Sequence, residues 1–124
     1  MTQHAAFLLP LSLALCACTG SVATRTLPAE ATLSPGQRMA LPDRAWLEYL
    51  GTYDDSRCPP DVQCIHAGDA RVVLRIGDAD AARDLALEAS KQGQPRQVGR
   101  WRVTLLQLPH GAAPRATLRI DAAR

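Results

Sequence analysis

Three stretches of this chain carry an apolar side chain at every second position: Val72, Leu74 and Ile76; Trp101, Val103 and Leu105; Ala116, Leu118 and Ile120. Successive side chains of an extended chain point to opposite faces, so a period of two marks a half-buried β-strand. Shorter runs fit the same pattern. Residues 31–33 read as a strand followed by a turn at 34–37 with Pro35 in its second position, and 38–41 and 45–53 read as the next two strands. Residues 83–89 set Leu85 and Leu87 on one face, although the composition of 81–90 also suits a helix. Gly93 and Pro95 make 91–95 a breaker, and 109–114 is a hairpin-sized loop between the last two strands. Six or seven short strands with regular turn signals predict an all-β domain, a small antiparallel β-sandwich or barrel. Only five of the 124 residues are aromatic, so its core must be built from Leu, Val, Ile and Ala.

The strands do not begin at once. Residues 5–15 form an apolar run with Pro10 at its centre, too short to span a bilayer and placed where a signal peptide sits. It ends at Leu15-Cys16-Ala17-Cys18-Thr19-Gly20, which resembles a bacterial lipobox, with Leu three positions before a cysteine and a small residue just before it. Cys18 is the expected lipidation site, because bulky Leu15 precedes Cys16. The predicted organisation is a lipoprotein signal peptide over 1–17, a tether over 18–29 rich in Ser, Thr and Ala, and a β domain over 30–124. The expected location is the cell envelope, lipid-anchored, on its periplasmic side or the surface.

Two cysteines remain, Cys58 and Cys64, in a loop that also holds Pro59, Pro60 and Gly68. Export into an oxidising compartment favours a disulfide between them. Closing so short a ring restrains the unfolded chain by about 2 to 2.5 kcal/mol in the loop-entropy treatment. Two other readings compete. Cys58, Cys64 and His66 are three soft or borderline donors that a periplasmic copper or zinc ion would accept, although their spacing is not that of a zinc finger. Alternatively, the ring from Arg57 to Cys64 is presented to a trypsin-like protease as an inhibitory loop, with Arg57 as the specificity residue.

The residues Asp55-Ser56-Arg57-Cys58-Pro59, Val62-Gln63-Cys64-Ile65 and Ala67-Gly68 resemble the D-S-R-C-P-x-x-V-x-C-[IV]-W-A-G motif of a family of small bacterial exported proteins and lipoproteins. The likeness extends more loosely to 33–37 and 101–109. It implies an all-β domain with a Cys58 to Cys64 disulfide and carries no catalytic residues. His66 stands where the family usually has Trp, so an aromatic surface over the ring is not expected here.

No catalytic constellation is present. Ser56 lacks the setting of a nucleophile elbow, and His66 and His110 read as loop residues, so no enzymatic role and no cofactor is expected. Fourteen basic against twelve acidic residues leave a net charge of +2, a near balance that argues against nucleic acid as a partner. Arg71, Arg75, Arg100, Arg102, Arg115 and Arg119 all alternate with the apolar positions. If their strands are neighbours, one outer face is rich in guanidinium and suits an anionic envelope component; otherwise these arginines pair with nearby carboxylates in a solvated surface. The expected role is binding or structural support, with the membrane reached through the lipid and an envelope polymer or protein as partner.

Overall fold

The computed structural model describes residues 25–123, so the expected signal peptide, Cys16, Cys18 and most of the expected tether lie outside the described residues. Eight strands form two antiparallel sheets: β1 Ala29–Leu33, β2 Arg38–Ala40, β3 Trp46–Tyr53, β4 Arg71–Gly77, β5 Ala82–Glu88, β6 Pro95–Val98, β7 Trp101–Gln107 and β8 Ala116–Ala122. One sheet has the order β1-β8-β7-β6 and the other β2-β3-β4-β5. The expected all-β sandwich is what forms, with residues 82–88 as strand rather than helix.

Alternation drives the packing. Val72, Leu74, Leu85 and Leu87 of one sheet and Val103, Leu105, Leu118 and Ile120 of the other are buried in a single core. Each such side chain contributes roughly 1.5–3 kcal/mol by leaving water. A strand over 95–98 departs from the breaker expected at 91–95. β6 is an edge strand that pairs only with β7, and Pro95 is its first residue, where a missing N–H costs no ladder bond. Residues 89–91 before it make a single 3-10 turn.

Tyr49 sits at the centre of the core with no exposed surface. Its hydroxyl donates to the Pro114 carbonyl at 2.8 Å and lies 2.7 Å from Thr52 Oγ1, tying the β7–β8 loop to β3. Burial pushes the phenol above its ordinary pKa, so it remains a neutral donor through the physiological range. Tyr49→Phe keeps the ring but leaves that carbonyl without its donor. It is expected to lower unfolding free energy by about 1–2 kcal/mol, read as the shift in urea midpoint at unchanged slope.

Register places the loops at two ends of the sandwich, roughly 20 Å apart, the length of a strand of this size. Ala29 lies opposite Ile120, Trp101 opposite Ala122, and Trp46 opposite Gly77, so the chain enters at the end that carries the β4–β5 and β6–β7 turns. Leu33 lies opposite Ala116, and Tyr53 opposite Arg71, so the cysteine loop and the β7–β8 loop share the far end.

Candidate functional site

The far end is built on an extension of the β3–β4 hairpin. Beyond the last strand pair, the Ser56 amide donates to the Asp69 carbonyl at 2.8 Å and the Asp69 amide to Ser56 Oγ at 3.1 Å. Gly68 lies against the Ser56 carbonyl so tightly that a Cβ there would come within 1.7 Å of its oxygen. The third closure is covalent: Cys58 and Cys64 form the expected disulfide, with Cα atoms 5.8 Å apart. Loops of this length are usually mobile, but one strapped at two further levels presents its tip from a fixed base.

Arg57 locks that base to the neighbouring loop. Its Nε and Nη2 donate to the two oxygens of Asp55 at 2.9 and 2.8 Å, while Nη1 and Nη2 donate to the carbonyls of Leu108 and Pro109. The side chain is 13% exposed. The guanidinium's hydrogen bonds hold the Asp55 carboxyl below the usual carboxylate range, and Asp55 in turn raises Arg57. Asp69 does the equivalent work toward β5: it accepts from the Ser90 hydroxyl at 2.6 Å and from the Ser90 and Ala70 amides, and those bonds, the hydroxyl first, lower its pKa. His110 Nε2 lies 3.1 Å from the Cys58 carbonyl.

These positions bear on each of the loop readings. With the two sulfurs bonded to each other, Cys58 and Cys64 offer no thiolates beside His66, and among the described residues no three His, Cys, Asp or Glu side chains converge as metal ligands. Arg57 is turned inward and donates four hydrogen bonds invisible in the sequence, which a protease would have to displace to take it as a specificity residue. What the ring does display is apolar. Ile65 is 95% exposed and Val62 55%, beside Pro59, Pro60 and His66. Asp54, next to Asp55, turns away and pairs with Arg71.

The six alternating arginines do not form one face. Arg71 and Arg75 belong to β4, whereas Arg102 and Arg119 lie on β7 and β8 of the other sheet, with Arg100 and Arg115 in the turns before them. The condition for a single guanidinium-rich surface, neighbouring strands, therefore fails for the set as a whole. Arg71 pairs with Asp54, Arg75 with Asp84, Arg100 with Asp43 and Arg119 with Asp121. Exposed pairs of this kind each contribute at most about 1 kcal/mol.

A second concavity lies at the opposite end, between the β4–β5 and β6–β7 turns, with a volume of about 310 Å³. Trp101, Ile76 and Val98 wall it, and Arg83, Arg100 and Asp78 stand around it. Sequence alone assigns Trp101 to the core and Arg83 to a strand; what brings them together is the pairing of hairpin ends across two sheets, which no local pattern records.

Comparison of the chain with family models, curated proteins and solved structures found no match.

Proposed function

We propose that this chain is a bacterial envelope lipoprotein, anchored through Cys18 and belonging to the D-S-R-C-P motif family, whose β-sandwich holds the Cys58–Cys64 ring toward a binding partner in the envelope. The role is binding or structural rather than catalytic. The observation that carries the reading is the ring itself: a disulfide persists outside the reducing cytosol, and this one fixes two exposed aliphatic side chains on a base that Arg57, through the Leu108 and Pro109 carbonyls, and Asp69, through Ser90, hold to the sandwich. Its position is compatible with the same reading: the described chain enters the domain at one end and the ring stands at the other, so a tether at the entry end leaves the ring clear for a partner.

Fractionation of a bacterium expressing the full chain tests this. Metabolic fatty-acid label is expected in the membrane fraction, retained in Cys16→Ser and lost in Cys18→Ser, with Cys58 and Cys64 unreactive to thiol reagents until reduced. Recovery of the complete chain from the cytosol, unlabelled and with both thiols free, overturns the proposal.

A further inference from the structure

We propose that the cleft between the β4–β5 and β6–β7 turns is a binding site for a small anion with an apolar body, a carboxylate or phosphate monoester carrying a ring or a short acyl chain. The site lies at the end of the molecule away from the disulfide ring and does not depend on the lipid anchor for its existence.

The backbone leaves the space open for definite reasons. Gly77 ends β4 where a Cβ would stand 2.6 Å from the Trp46 ring, and Gly99 turns between β6 and β7 at a φ of +58°. Gly77 makes room for the Trp46 indole, and with no side chain at Gly99 the indole of Trp101 and the side chains of Ile76 and Val98 stay at the back of a cleft of about 310 Å³, room for roughly ten water molecules at liquid density. That is the lower end of the size range of small-molecule sites, and the combination of apolar walls with a few placed charges is their usual chemistry.

One guanidinium at the mouth is open to an anion. Arg83 leaves the exposed part of β5 and reaches across the mouth, its Nη1 4.0 Å from where a Gly99 Cβ would lie. Among the described residues it makes no ion pair or side-chain hydrogen bond, unlike Arg71, Arg75, Arg100 and Arg119. Arg100 lies over the Trp101 ring at 4.8 Å and is held at 3.2 Å by Asp43. Asp43 thus answers Arg100, and the lining carboxylate Asp78 has its Oδ1 engaged by the amides of Asp80 and Ala81 in the β4–β5 turn, which leaves Arg83 as the guanidinium with donors open to a ligand. A guanidinium with unused donors at the edge of an apolar cleft matches the planar oxygens of a carboxylate or phosphate, and the indole gives the attached ring or chain a surface to lie on. Such an amphiphilic anion is either free in solution or the headgroup of a lipid; the chain enters the domain at this same end, within reach of a bilayer.

Trp101 lines the site, and Trp46, the other of the two tryptophans in the sequence, packs against Gly77 of its wall, so intrinsic fluorescence reports on it. Phenyl phosphate titrated into the oxidised full chain is expected to give a saturable fluorescence change, with inorganic phosphate binding at least about tenfold more weakly because the walls then gain nothing. Arg83→Gln is expected to weaken phenyl phosphate at least about tenfold, while Arg71→Gln, at the other end, leaves it unchanged and both variants melt within about 8 °C of the parent. Vesicles separate the sources: binding to phosphatidic acid over phosphatidylcholine, displaced by phenyl phosphate and lost in Arg83→Gln, assigns a headgroup, and phenyl phosphate binding without vesicle binding assigns a free anion. Absence of a saturable response to both probes, or equal loss in Arg83→Gln and Arg71→Gln, overturns the assignment.

Discussion

Gly68→Ala is expected to destabilise the fold by about 3 kcal/mol, at the upper end of what overpacking normally costs. The added Cβ would lie 1.7 Å from the Ser56 carbonyl oxygen and 2.2 Å from its carbon, and neither is the end of a side chain that can rotate away. The contact relaxes only if the neck opens, and opening it breaks the hydrogen bonds between Ser56 and Asp69 and slackens the ring above them. Gly68 has no left-handed φ, so its requirement is one of room alone. Gly93→Ala gives the contrast: its φ is +84° with open space around the Cβ position, and the change there costs about 1–2 kcal/mol of backbone strain. For a domain near this size, 3 kcal/mol lowers the melting temperature by about 12–24 °C. A Gly68→Ala protein melting within about 3 °C of the parent would show that the neck is not closed as described.

The sheets were readable because their information is local. Val72, Leu74 and Ile76, or Ala116, Leu118 and Ile120, declare which face is buried through their spacing alone, and the structure buries all six. The bounds of β6 were not readable, since Pro95 and Gly93 punctuate sequence in the same way whether an edge strand or a loop follows. The disulfide followed from compartment and count. Everything that fixes the ring to the sandwich was hidden, because Arg57 meets Leu108 and Pro109 across fifty positions of sequence, and Asp69 meets Ser90 across twenty-one. A lone Arg before a cysteine looks equally suited to display or to burial. The six alternating arginines teach the same lesson in reverse: alternation identified their outward direction correctly but carried no information on which sheet each strand joins, and strand order divides them.

Arg57→Met is expected to cost about 2–3 kcal/mol, between the values for exposed pairs and fully buried ones. Methionine keeps most of the aliphatic stem and so isolates the guanidinium. Without it the Leu108 and Pro109 carbonyls lose their donors and the Asp55 carboxylate, 28% exposed, loses its partner. Asp55→Asn should cost less, since Arg57 keeps its two carbonyl acceptors. In the double variant the two losses are expected to fall short of additivity by about 1 kcal/mol or more, as for residues sharing one network. Acid titration gives an independent reading. Hydrogen bonds from Arg57 depress the Asp55 carboxyl in the folded protein, so its contribution is complete above the unfolded value near 4 and is lost as pH falls through the lower folded value. Asp69, depressed chiefly by Ser90, adds to the same slope. The parent should therefore lose stability on acidification below about pH 4, and Arg57→Met should lose less over the same range, because its Asp55 titrates nearly alike in the folded and unfolded states. Parallel stability curves for the two proteins between pH 7 and pH 2 would mean that Arg57 and Asp55 do not hold one another, and the base of the ring would then need another explanation than this pair.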